Sequence, residues 1–307
     1  NSKFSVQKVV DAPAGFYNSA KITSLAATTV QSGDYFQFQQ GIEGYNINPA
    51  NFGTPTAKGL VLSFYVKSSL TGTFSVCFSN YTGNKFLAQN YTISSANTWE
   101  RKTISVPAIT TGSWERGNGA GLYIYFTLGA GSDTLRSTGS WIDSNFGRAG
   151  TGSTNVVATN GATWQVTGVQ LEVDHTNSGK ATDFEHRSYG DELQRCKRYF
   201  QIIADGRDNQ NETFGTAHAW NTVQAEIVLR WDVEMREAPD LEQGVGTNYY
   251  IILINGVTKY TNQYQKYQFT KRSGMLYNTN FSGLTGGNAY RCKLSNANAY
   301  LHLVAEL

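Results

Sequence analysis

Apolar and polar positions alternate with a period of two along much of the chain. Leu60, Leu62, Phe64 and Val66 alternate with Val61, Ser63, Tyr65 and Lys67. That spacing sends one set of side chains to a buried face and the other toward solvent, as in a half-buried strand. Beyond Thr71-Gly72 the pattern resumes in Phe74, Val76 and Phe78, and beyond Thr82-Gly83-Asn84 in Phe86 and Ala88. Two successive hairpins are predicted there. Trp99–Val106, Leu122–Leu128 and Trp164–Val173 supply further strands. Short strands separated by turns, with almost no helix between them, predict an antiparallel sandwich, with a barrel as the other closure. The Gly/Ser/Thr-rich stretch from Gly129 to Gly161, which carries Trp141, Phe146 and Arg148, is long for a connection. Loops of that length are commonly functional or mobile.

The period changes near Asp183. Leu193, Cys196 and Phe200 stand at helical spacing, with Ser188 as N-cap, Asp191 and Glu192 in the first turn, and Arg195, Lys197 and Arg198 toward the other end. Both charge signs suit the helix dipole. Strands return with Val223–Trp231, break at Glu237-Ala238-Pro239, and resume at Tyr249–Ile254, where Asn255-Gly256 predicts a tight hairpin into Val257–Tyr260. Tyr290–Leu294 and Tyr300–Val304 close the pattern. The reading is all-β: an antiparallel sandwich over residues 1–184, a linking helix over 185–203, and a small distal β domain over 204–307. No fixed-period repeat is visible.

Composition narrows the function. Lys plus Arg number 25 and Asp plus Glu 23, a net charge of +2 that provides no concentrated basic face for nucleic acid. No apolar run has the length of a membrane span and no apolar leader opens the chain. The sequence starts at Asn1 and not Met, which points to a fragment or processed product lacking an upstream attachment segment. Cys77, Cys196 and Cys292 form no short-spaced framework. Cys77 and Cys196 read as small buried hydrophobes, and a Cys196–Cys292 bridge stays open.

Catalytic and cofactor motifs are sparse. Gly117-x-Gly119-x-Gly121 precedes a strand with no helix after it, so it reads as a turn and not a phosphate cradle. His175, His186, His218 and His302 are scattered, and Asp205, Asp208, Asn209 and Asn211 read as a polar turn without the EF-hand spacing. No cofactor, metal site or catalytic residue is expected, and no carboxylate pair is singled out for glycosidic cleavage. Sugar binding has a clearer basis, because pyranose rings stack on Trp and Tyr while amides and carboxylates hold the hydroxyls. Trp114, in a Gly/Ser turn, and Trp141, in the long loop, are candidate platforms, the alternative being lids packed onto the core. Tyr249 and Tyr250, within a run that includes Tyr260, Tyr264, Tyr267 and Tyr277, are further candidates, the alternative being strand residues with alternate faces buried.

The segments Gly168–Val173 and Ala181–Phe200 resemble a junction found in bacteriophage tail-fibre and related virion proteins. Leu62–Ser69, Asn97–Ile104 and Leu128–Gly131 are similar to the carbohydrate-binding-module-like jelly roll that precedes it there, and Val233–Pro239 and Ala305–Leu307 to the distal domain. The resemblance implies a jelly roll and a homotrimeric structural protein of the virion. It further implies attachment to other virion or tail proteins through an N-terminal segment, and non-catalytic, multivalent binding to host surface polysaccharide. A head fibre, decoration or tail-adaptor protein without receptor binding is the close variant. A carbohydrate-active depolymerase is the enzymatic alternative, although phage depolymerases usually resemble long parallel β-helices whose repeating turns this chain lacks.

Overall fold

The computed structural model describes residues 2–307, and the chain is nearly all β. Residues up to Glu185, together with Leu307, form one compact unit, and His186–Glu306 form a second.

The first unit comprises β1 (Phe4–Val9), β2 (Ser19–Ser24), β3 (Tyr35–Glu43), the short α1 (Gly44–Ile47), β4 (Leu60–Ser68), β5 (Gly72–Ser79), β6 (Lys85–Ile93), β7 (Glu100–Val106), β8 (Ala120–Ala130), β9 (Leu135–Arg136), β10 (Ile142–Asp143), β11 (Ala149–Gly150) and β12 (Thr163–Val173). Two antiparallel five-stranded sheets run β1-β2-β12-β4-β7 and β10-β6-β5-β8-β3. The chain crosses between them at β4–β5, β6–β7 and β7–β8, so the unit is a sandwich of jelly-roll type and not a barrel.

The alternating residues of β4 do face inward: Leu60, Leu62, Phe64 and Val66 are buried against Phe74, Val76 and Phe78. Val61 and Ser63, expected toward solvent, are buried as well, so β4 is covered on both faces over its first half. The first of the two expected hairpins is absent. β4 and β5 belong to opposite sheets, and each sends its apolar face into the core between them. The second hairpin forms as expected, with β5 paired to β6. Phe64 meets Phe126 and Tyr91 edge-on across the core at 5.1 and 5.2 Å, and the Trp164 indole donates to Tyr91 Oη at 3.2 Å. In β12 the register shifts between Thr167 and Gln170, where Gly168 has φ +58° and lies under the Phe16 ring; a side chain there would meet that ring at 2.5 Å.

The long loop is built as a cover. Its β9 and β11 pair in parallel, and its backbone seals the outward face of β5. Thr127 Oγ1 donates to Arg148 O, the Gly150 amide donates to Ser75 Oγ, and Asn90 Nδ2 donates to Thr151 O. Ser75 and Cys77 are buried as a result, and burial pushes the Cys77 thiol up to about 12.

The second unit begins with α2 (Tyr189–Lys197), whose N-cap Ser188 accepts the Asp191 amide at 3.2 Å. Strands follow as β13 (Phe200–Asp205), β14 (Thr213–Ala219), β15 (Ala225–Arg230), β16 (Asp240–Gln243), β17 (Tyr250–Ile254), β18 (Val257–Thr261), β19 (Gln265–Tyr267), β20 (Ser273–Asn278), β21 (Ala289–Leu294) and β22 (Tyr300–Val304). They form a seven-stranded sheet, β18-β17-β21-β14-β15-β20-β19, and a three-stranded sheet, β13-β22-β16. Asn255 and Gly256 both take positive φ, 47° and 80°, which is the geometry that turns β17 into β18. Ala204, Ala217, Ala219, Ala225, Ile252 and Leu301 lie in a buried cluster that draws on both sheets.

Cys196 is exposed and not a core residue, because no residue of α2 is buried within the chain. No disulfide forms among the described residues; Cys196 stands on the open helix while Cys292 is buried in β21. Among the described residues no helix is long and apolar enough to cross a membrane.

Candidate functional site

β10 carries the site. Its two residues, Ile142 and Asp143, pair with Phe86 and Lys85 at the edge of the second sheet, which anchors the preceding Trp141. The Trp141 indole N–H donates to Pro107 O at 2.8 Å. Its ring meets Trp114 edge-on at 5.4 Å and Phe52 at 6.0 Å, an aromatic corner of a kind whose geometry adds to simple area burial. The indole is partly buried by this corner and partly open to a cleft of about 600 Å³.

The cleft is lined by Trp141, the backbone and side chains of Pro107–Thr111, Ser140, Lys85 and Asp143. Lys85 reaches the floor because its aliphatic stem runs over Gly112, which has φ +89° and no side chain to obstruct it. Its ammonium pairs with the Asp143 carboxylate, which is 81% exposed. The Lys85 side chain is largely buried and only the Asp143 carboxylate is open to solvent, so the attraction is worth about 1 kcal/mol and Asp143 is the partner that can turn to a ligand hydroxyl at small cost. The lining thus offers an aromatic wall, hydroxyls from Thr110, Thr111 and Ser140, one ammonium and one carboxylate. A single carboxylate, already ion-paired, does not make the facing pair that glycosidic cleavage ordinarily uses.

The other sequence candidates are placed differently. Trp114 is only 8% exposed and packs edge-on to Phe52 at 4.9 Å, its N–H donating to Thr111 O. It backs Trp141 and presents no free face of its own; Gly53, at φ +80°, leaves the space that lets the indole close. Tyr250 is fully buried, with its hydroxyl shared between Gly244 O at 2.7 Å and Tyr300 O at 2.8 Å. Burial raises its pKa above the ordinary tyrosine value. Tyr250 is a core residue because position 250 falls on the inward phase of β17. Tyr249 is half-buried, its ring lying along Gly246.

Lys85 and Asp143 were not legible as a pair, being 58 residues apart in sequence. The outward face of β8 adds a stacked pair, Tyr123 and Tyr125, 5.9 Å apart, with Tyr125 Oη 2.9 Å from Ser79 Oγ. Among the described residues, no group of three or more His, Cys, Asp or Glu side chains gathers as a metal site would require.

No family model matches the chain, and no curated protein matches it. Among solved structures it is similar to the enzymatically active domain of tailspike protein 4 of bacteriophage CBA120, at 15% identity and a TM-score of 0.32, over 56% of this chain and 18% of that one. It is similar to a CBM4 structure at 14% identity and a TM-score of 0.30, over 56% of this chain and 78% of that one. It is also similar to the CBM22-1 xylan-binding domain of Paenibacillus barcinonensis, at 10% identity and a TM-score of 0.25, over 59% and 85%. The chain thus spans under a fifth of the length of the tailspike domain, and likenesses this slight do not bear on function.

Proposed function

We propose that this chain is a non-catalytic attachment subunit of a bacteriophage virion, acting as a homotrimer, that binds host surface polysaccharide through the Trp141 cleft. The observation that carries the binding reading is the partly open Trp141 indole, braced by Trp114 and Phe52 and ringed by hydroxyls and the Lys85–Asp143 pair. A braced ring loses little freedom on binding, and a pyranose stacked on it can exchange hydrogen bonds with the rim. The virion role is supported by the sequence resemblance at 168–200.

The trimer reading is supported by α2. Tyr189, Leu193 and Cys196 stand at i, i+4 and i+7, one stripe of the helix, and all three are exposed, Tyr189 at 82%. Such a stripe is what a helix leaves open when its partner is another chain. Weak sugar contacts multiplied by three copies then give useful avidity.

An array of bacterial surface polysaccharides tests the reading. Wild-type protein is expected to bind a subset, Trp141→Ala to lose that binding at least tenfold, and incubation with the bound polysaccharide to release no new reducing ends. In solution the expected mass is three times the 33.8 kDa chain, reduced to one by Leu193→Asp. A wild-type monomer at micromolar concentration would remove the trimer. One observation favours a passive structural subunit instead: the Trp141 N–H is already committed to Pro107 O. Array silence with an intact trimer would select that reading.

A further inference from the structure

The chain has six tryptophans, and five have their indole N–H engaged internally. Trp99 donates to Asp11, Trp114 to Thr111 O, Trp141 to Pro107 O, Trp164 to Tyr91 and Trp231 to Thr270 O. Trp220 is the sixth. Its ring is 66% exposed, and no hydrogen bond or ring contact within the described residues engages its side chain.

The backbone beneath it is pinned. Trp220 sits at the turn between β14 and β15, where its amide donates to Gln224 O at 2.9 Å. Asn221 Oδ1 accepts the amides of Val223 and Gln224, both at 2.8 Å. A second segment holds the turn from the side: Phe281 N donates to Val223 O, Leu284 N to Thr222 O and Gly287 N to Ala219 O. A single exposed apolar side chain is ordinary on a protein surface. A large ring carried on a fixed turn, with its polar edge idle, is a different object, since a ligand that binds it orders only the two side-chain torsions and not the backbone beneath.

We infer that Trp220 is a second ligand-contact site, in the distal unit, and that it takes a pyranose saccharide. The turn and the segment beside it expose amides and hydroxyls, Asn221, Thr222, Ser282 and Thr285, with Val223 as the one other exposed large apolar side chain of the turn, which is less than the apolar patch a protein partner would bury. Gly286 lies against the backbone of the turn, where a side chain would come within 3.6 Å of Trp220 O. The indole face stacks on the apolar face of the sugar and the free N–H donates to a ring or hydroxyl oxygen. The ligand class rests on the saccharide-binding reading of the chain; the location does not depend on the Trp141 cleft.

The test uses the full chain labelled with nitrogen-15, so that each indole N–H gives its own signal, with the Trp220 signal assigned by Trp220→Phe. Oligosaccharides from mannan, galactan, dextran and xylan are titrated in. The expected result is a saturable shift of the Trp220 signal with at least one of them, and a dissociation constant weakened about tenfold in Trp220→Ala, with the shift retained in Trp141→Ala. Shifts at Trp141 with Trp220 unmoved would overturn this inference and leave the cleft standing. Shifts at neither would overturn both.

Discussion

The two β units fill their interiors with different materials. The first packs large rings, among them Phe64, Phe74, Phe78, Phe126 and Trp164, between two five-stranded sheets. The second closes on alanines at 204, 217, 219 and 225, with Tyr250, Tyr264 and Tyr290 among them. The phenylalanines that dominate the first interior need only shape, and its Trp164 and Tyr91 satisfy each other, whereas each buried tyrosine of the second brings a hydroxyl that needs a partner. Tyr250 finds two carbonyls and Tyr290 accepts the Thr285 amide at 3.0 Å. Tyr264 finds none and faces the Cys292 thiol, with burial raising it well above the ordinary tyrosine value. An abundance of aromatics is therefore mostly packing in both units, and the functional candidates are the few rings that packing left open.

The largest effect expected follows from the first interior. Trp164→Ala removes a fully buried ring and its bond to Tyr91, at a cost of about 3–5 kcal/mol in denaturant unfolding. A loss under about 1 kcal/mol would mean that this core is loosely packed. The second interior should fail in the opposite direction. Ala217→Leu forces methylenes into a strand with no free volume, costing about 1–3 kcal/mol, and a neutral result would contradict the close approach that its alanines create.

Acid tests a single ion pair of the second unit. In the second unit, Asp205 is buried and ion-paired to Arg207, with His302 Nε2 at 3.4 Å from the same carboxylate. The Arg207 hydrogen bonds, above all, hold Asp205 well below the usual carboxylate range. The folded form therefore keeps it charged where the unfolded chain, with an ordinary aspartate near about 3.9, is already taking up protons. The stability this contributes is complete above that value and falls away as pH drops toward the folded one. A midpoint that declines below about pH 4 in wild type, with a shallower decline in Asp205→Asn, is the expected pattern. Equal slopes would remove Asp205 from the account. The smallest effect is at Tyr264: Tyr264→Phe deletes a hydroxyl with no oxygen or nitrogen partner, so stability should hold or rise by about 1 kcal/mol, and a loss above that would reveal a bond to the thiol worth keeping.

Much of this architecture is written in local pattern. The strand alternation of 60–66, the Asn255-Gly256 hairpin and the Ser188 cap all depend on neighbouring residues, and each appears where the sequence places it. Alternation reveals which side chains share a face but not which strand lies alongside, so the partnership of β4 with β12 and β7 was hidden. Helical spacing likewise shows that Leu193 and Cys196 share a stripe, but not that the described residues leave it exposed. At the site, Trp114 and Trp141 looked equivalent as loop tryptophans. Their difference depends on Phe52, Gly53 and Pro107, residues whose proximity only the fold creates. Trp220 has no mark in the sequence, because nothing local shows that a ring will be left unpartnered.

The most direct test is a crystal structure of the full chain soaked with an oligosaccharide selected on the array. The account predicts a sugar ring in van der Waals contact with the open face of Trp141, hydroxyls bonded to Asp143 or Lys85, and the glycosidic bonds intact. A saccharide seated on Tyr123 and Tyr125 with the Trp141 cleft empty, or a cleaved product in the cleft, would contradict it.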